Sequence, residues 1–69
     1  MIHMKLLNRV KALRARDRLT QEELAKRVQV TRQTIVALEK GNYVPSLLLA
    51  LAISDVFSLP VEQIFWREE

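Results

Sequence analysis

The sequence predicts an all-α fold of five short helices, with the two ends of the chain able to pair as a brief β-ribbon. Three observations carry that expectation. Apolar residues recur at helical spacing in successive stretches. The first four stretches each follow a residue suited to N-capping: Asn8, Thr20, Thr31 and Ser46. Hydrophobic residues make up 49% of only 69 residues. A chain this short buries only about 60% of its unfolded surface, so it is marginal unless helical and well packed, or oligomeric.

His3 to Leu7 shows little helical periodicity and several apolar side chains, which fits a short strand or an extended arm. Asn8 then caps a first helix. Val10 and Leu13 supply its inward stripe, Lys11, Ala15 and Arg16 face solvent, and Arg18-Leu19 closes it. Leu19 immediately precedes the next cap, the position from which it can staple onto Leu24 or Ala25.

The stretch from Thr20 to Gly41 holds two capped helices. Thr20-Gln21-Glu22-Glu23 fits a capping box, and Leu24, Ala25 and Val28 follow at helical spacing. Gln29-Val30 interrupts the pattern. Thr31 is the next cap, Ile35 and Leu38 form an inner face, and Gly41 is placed to end the helix in a left-handed conformation. Two capped helices about three or four residues apart are the signature of a helix-turn-helix. The second opens with Arg32, Gln33 and Thr34. A recognition helix enters the major groove by that end. Arginine can bond guanine through two hydrogen bonds, and glutamine can do the same with adenine. Arg-Gln at a helix start is by itself more often a solvated first turn. The flanking context decides for the DNA reading.

Pro45 restrains Val44 to extended geometry. Ser46 caps a fourth helix over about 47–57. Leu47, Ala50, Ile53, Ser54 and Phe57 mark its expected inner face. Leu48, Leu49, Leu51, Ala52 and Val56 make it apolar nearly all round. Such a helix is central in the core or covered by a partner, and Leu48, Ala52 and Val56 are open to either reading. Ser58-Leu59-Pro60 is a loop and 61–65 a last short helix. Trp66-Arg67 is expected to be extended beside Met4–Leu7.

Composition narrows the function classes. There are no cysteines, so neither a disulfide framework nor a thiolate metal site is available. No apolar run reaches the ~18 residues of a membrane span, and 2–7 is too short and broken for a signal peptide. A cytoplasmic chain is expected. Net charge is +3, but its placement is uneven. Residues 1–18 carry six Lys/Arg against Asp17, whereas 42–69 carry Arg67 against Asp55, Glu62, Glu68 and Glu69. A basic face suits a polyanion, and an acidic opposite face keeps away from it. Catalysis would need a convergent acid–base or nucleophile cluster. With one histidine near the start and serines lacking a neighbouring base, neither an enzyme nor a cofactor or metal site is expected.

The order of these signals resembles the lambda-repressor/Cro-like helix-turn-helix family, in its small stand-alone bacterial and archaeal form. LTQEELAKRV, VTRQTIVALEKGNYVPSL and LPVEQIF carry the resemblance, which covers nearly all of 8–65. It implies one five-helix DNA-binding domain over 1–69, with the helix-turn-helix at about 20–41 and dimerisation elements near 44 and 58–67. The recognition helix would span about 32–40. Carried over by position, Gln21 would hold a phosphate while bracing Gln33. Thr31, Arg32, Gln33 and Thr34 would form the base-reading turn. Val36 and Ala37 would face a thymine methyl or the groove wall, and Lys40, Asn42 and Tyr43 would touch phosphate. Arg14 would pair structurally with Glu39.

The chain departs from the family where glycine is common. Arg18 and Gln29 stand there, and Arg18 could then lie near the DNA backbone. A left-handed backbone at either site would cost about 1–2 kcal/mol. The resemblance further implies a two-fold dimer on a palindromic operator and a repressor role. Its seam would hold Val44, Val61, Ile64, Phe65 and Trp66, unless Ile64 and Phe65 close the monomer core instead. A second reading from a different class is a protein-interaction module that uses the Leu48, Ala52 and Val56 stripe.

Overall fold

The computed structural model of the chain describes residues 5–68. In order, the elements are β1 (Lys5–Asn8), α1 (Val10–Asp17), α2 (Gln21–Arg27), α3 (Arg32–Glu39), α4 (Leu47–Phe57), α5 (Val61–Ile64) and β2 (Phe65–Glu68). The strands pair antiparallel, with Leu7 opposite Trp66 and Leu6 opposite Arg67. The expected pairing of the chain ends is thus present over Lys5–Asn8. His3 and Met4, the rest of the expected arm, lie outside the described residues. The last helix stops at Ile64, because Phe65 turns to extended backbone and begins β2.

Helix starts follow the predicted chemistry. Thr20 accepts from the Glu23 amide at 3.0 Å, and Glu23 returns a bond to the Thr20 amide at 2.9 Å, completing the capping box. The Thr20 backbone amide, which donates to the Glu23 carboxylate, and then the Thr20 side chain hold that carboxyl below the usual carboxylate range. Thr31 caps α3 through the Thr34 amide, and Ser46 caps α4 through the Leu49 amide. Asn8 works one residue further out than expected. Arg9 occupies the N-cap position of α1, while the Asn8 carbonyl oxygen accepts from the Val10 amide at 3.0 Å. Its amide nitrogen donates to the Leu38 carbonyl at 2.9 Å, so one side chain caps α1 and pins the end of α3.

Four helix ends share one device. Arg18, Gln29, Gly41 and Ser58 all have positive φ, at 56°, 60°, 82° and 55°. In each case the next residue's amide reaches back five residues: Leu19 to Arg14, Val30 to Ala25, Asn42 to Ala37 and Leu59 to Ser54. This is the Schellman arrangement, normally built on glycine. Here glycine supplies it once. The other three sites are each followed by an apolar residue, Leu19, Val30 or Leu59, that packs on the core. The apolar contact that accompanies the motif offsets the left-handed cost.

The core gathers Val10 and Leu13 of α1, Leu24 and Ala25 of α2, Ile35 and Leu38 of α3, and Leu49, Ala50, Ile53 and Phe57 of α4, closed by Ile64 and Phe65. Two expectations are corrected here. Leu47 is 72% exposed and Leu49 takes its place inside, because the inner face of α4 runs through 49, 50, 53 and 57. Ser54 is half-buried and satisfied by donating to the Leu59 carbonyl. Ile64 and Phe65, expected at a dimer seam, are spent on the monomer core at 0% and 7% exposure.

The shared cap device carries a test. Gln29→Gly removes the side-chain penalty at φ 60° at the cost of a looser unfolded chain. It is expected to stabilise the domain by about 0.5–1 kcal/mol, a rise in melting temperature of roughly 2–8 °C. An unchanged or lowered melting temperature would show that the turn carries no such strain.

Candidate nucleic-acid interface

The first turn of α3 stands free of the core. Thr31, Arg32 and Gln33 are exposed and Thr34 is half-buried. The inward side of the same helix is fixed by Ile35 and Leu38, both essentially sealed. Positions 32, 33, 36, 37 and 40 therefore share the outward side. Along it, Val36 and Ala37 are half-buried and Lys40 is exposed. Asn42 and Tyr43 follow in the loop, both exposed, with Tyr43 at 41%. The chemistry along this side grades from long polar groups at the N-terminus, through two small apolar ones, to a cation. Arg18 is exposed at the left-handed turn between α1 and α2.

The position of α3 is set by charge as well as packing. Arg14 of α1 donates from Nε to Glu39 Oε2 at 2.5 Å and from Nη2 to Oε1 at 3.0 Å. Its Nη1 donates to the Leu19 carbonyl at 2.9 Å. The two side chains are only 14% and 6% exposed. The hydrogen bonds to Glu39 raise the Arg14 pKa above its already high value, so the guanidinium stays charged. Glu39 also accepts at Oε1 from Gln21 Nε2 at 3.2 Å. The other end of the same amide, Gln21 Oε1, accepts from Arg32 Nη2 at 3.3 Å.

This chain of bonds runs from a nearly sealed ion pair to the exposed first turn of α3. Glu39 can only accept, so it orients the Gln21 amide with nitrogen inward and oxygen toward Arg32. Gln21 was expected beside Gln33. Instead both ends of its amide are engaged by Glu39 and Arg32. A cleft of about 370 Å³ opens at this point, lined by Arg14, Thr20, Gln21, Glu22 and Arg32. The link between Gln21 and Glu39 has no signature in the sequence, since it spans 18 residues. The Asn8–Leu38 bond spans 30 and is equally silent. Only the cap-like placement of Asn8 pointed toward it.

The remaining predicted positions fall elsewhere. Val44 is 73% exposed in the loop before α4. Val61 is half-buried and packed on the core. Trp66 is 38% exposed, with the Arg9 guanidinium 4.9 Å from its ring centroid, a cation–π contact that covers one face. Leu48 is 78% exposed, whereas Ala52 and Val56 are half-buried against the core. The stripe they were expected to form is therefore split between solvent and interior.

Comparison with known proteins bears on the family and the fold. The sequence model of the helix-turn-helix family matches residues 10–64. A Bacillus subtilis (strain 168) protein described as an uncharacterized HTH-type transcriptional regulator, YgzD, is 60% identical over 62 residues, covering 90% of this chain and 94% of that protein. An Archaeoglobus fulgidus protein of the same description is 57% identical over 61 residues, covering 88% of this chain and 86% of its own. Among solved structures, the transcriptional regulator VanUg superimposes with a TM-score of 0.78 at 23% identity, over 99% of this chain and 91% of that one, a likeness of fold. With the capped helix pair, the left-handed turns and the matched profile in agreement, the chain belongs to the lambda-repressor-like helix-turn-helix family of small transcriptional regulators.

Proposed function

We propose that the protein is a sequence-specific double-stranded DNA-binding regulator of transcription that reads the major groove with the first turn of α3. One observation carries this reading. Arg32 and Gln33 stand exposed at the start of a helix whose other side is locked into the core, and Arg32 is braced from a second helix by Gln21. Surface arginines pay side-chain entropy to be held still, and one held by a neighbouring amide is already partly ordered. The relatives are described as transcriptional regulators, not as enzymes.

In this reading Arg32 and Gln33 select bases, and Thr31, Thr34 and Gln21 secure the backbone around them. Val36 and Ala37 meet the groove wall or a thymine methyl. Lys40, Asn42, Tyr43 and Arg18 serve phosphates. The protein acts as a homodimer on a palindromic operator, with recognition helices about 34 Å apart to match one turn of duplex. It represses by occupying its site, in the cytoplasm with the DNA. No helix among the described residues is long and apolar enough to cross a membrane.

Selection of bound duplexes from a random pool, at low and at moderate salt, tests the reading. A palindrome with half-sites one turn apart is expected, with affinity falling steeply as salt rises. On the selected duplex, Arg32→Ala should cost about 1–3 kcal/mol and relax preference at one base position. Lys40→Ala should weaken all sequences alike and lower the salt slope by about 1. A pool that shows no enrichment, or an Arg32→Ala loss equal on selected and scrambled duplex, would overturn base reading by this turn.

A further inference from the structure

We infer that Lys5 of β1 is a DNA-backbone contact: the terminal β-ribbon carries its ammonium to the C-terminal end of α3, where it joins Lys40 on the duplex phosphates. The inference rests on the DNA-binding reading above and adds to it an element that the family match leaves out. That match covers residues 10–64, whereas the ribbon is made of Lys5–Asn8 and Phe65–Glu68.

The ribbon is fastened to the reading helix. Asn8, at the end of β1, donates to the Leu38 carbonyl at 2.9 Å, and Leu6 packs on the core. The Arg9 amide adds a bond to the Ile64 carbonyl at 3.0 Å. A strand held in this way places its first residue as firmly as the helix it leans on. Lys5 Cε lies 4.0 Å from the point that a side-chain carbon on Gly41 would occupy. Gly41 has no side chain, so the lysine stem runs directly over the turn that ends α3. Lys40 precedes that turn, and Asn42 and Tyr43 follow it, all exposed. The cation of a residue 35 positions earlier in the chain thus reaches the group already assigned to phosphate.

A cation at a helix C-terminus has an ordinary use, to satisfy the last carbonyls and the negative end of the dipole. Here those carbonyls have other donors. Val36 accepts from the Lys40 amide, Ala37 from the Asn42 amide, and Leu38 from both the Gly41 amide and Asn8. Nor is the Lys5 charge spent elsewhere. Glu68 stands opposite it across the ribbon without an ion pair, and among the described residues the Lys5 side chain has no charged or hydrogen-bonded partner. Arg9, by contrast, is engaged on the Trp66 ring.

The surroundings supply no anion. Glu39 is nearly sealed against Arg14, and from Lys40 to Ser54 there is no acidic residue. Two ammonium groups are therefore gathered at one helix end with nothing between them to offset their repulsion. A duplex, with one negative charge per ~1.7 Å of axis, provides neighbouring phosphates for both. Such a contact holds the protein in register without reading sequence.

Salt-dependent binding of the full chain tests this on the selected and the scrambled duplex, between about 50 and 200 mM salt. Lys5→Gln should lower the salt slope by about 0.9, so the wild type loses about 3–4-fold more affinity over that range than the variant does. The change should be the same on both duplexes, leaving discrimination intact, and the melting temperature should hold. Lys5→Arg, which keeps the charge, should keep the wild-type slope. Ethylating single phosphates should reveal one position that weakens the wild type but not Lys5→Gln. A Lys5→Gln protein with wild-type affinity and slope would overturn the assignment. So would a variant that melts earlier and binds less well at an unchanged slope, which would make Lys5 a prop for the end of α3. In both cases the wild type still binds duplex and the reading of α3 stands. A wild type that binds neither duplex would bring down that reading and Lys5 with it.

Discussion

The Arg14–Glu39 ion pair is the contact on which the arrangement of the first three helices depends. Taking two charges nearly out of water is costly, and the cost is recovered only if the pair is well formed and its remaining valences are filled. Here they are. Glu39 accepts from Nε and Nη2 of Arg14 and from Gln21, while Arg14 also donates to the Leu19 carbonyl. Those bonds join α1, the turn after it, α2 and the end of α3. Removing one partner of a fully buried pair costs about 3–5 kcal/mol. This pair is part-buried, so the loss is smaller but still a large share of the ~3–5 kcal/mol expected of a domain below about 70–80 residues. The same carboxylate sets the orientation of Gln21 and through it steadies Arg32. Stability and the reading geometry proposed for Arg32 are thus coupled through one side chain.

Around that pair the chain folds with little glycine. Three of its four Schellman ends use Arg18, Gln29 and Ser58 in left-handed backbone. Each is followed by an apolar residue drawn into the core, so the penalty of the turn is set against burial. At Gln29 this has functional weight, because the turn there fixes how α3 leaves α2.

Caps were the most legible feature of the sequence. Thr20 with Glu23, Thr31 and Ser46 act within three residues, so their chemistry is local and the helix starts could be placed closely. The family match strengthens the same span. The left-handed geometry expected if Arg18 and Gln29 replace glycine is present, while Ser58 gave no such sign. The inner face of α4 is not legible at Leu47, which is exposed, because a helix apolar on all sides has no periodicity from which to choose a face. The partners of Gln21 and Asn8 are set by how helices distant in sequence approach, and no spacing rule encodes them. At the C-terminal end, Ile64 and Phe65 were equally apolar as seam or as core. Their burial in the same core cluster as Phe57 and Val10 resolves that choice.

In the proposed reading, Glu39 acts through Gln21 to hold Arg32 in position for base contact. Replacing the pair by apolar residues of similar bulk, R14M/E39L, is often close to neutral for stability, so the fold can survive while the brace on Gln21 is lost. The decisive measurement is the ratio of affinities for the selected and a scrambled duplex in this folded variant. A fall of about 5–10-fold from the wild-type ratio, about 1–1.4 kcal/mol, with binding to scrambled duplex unchanged, is the predicted result. A variant that melts like the wild type and discriminates equally well would contradict the claim.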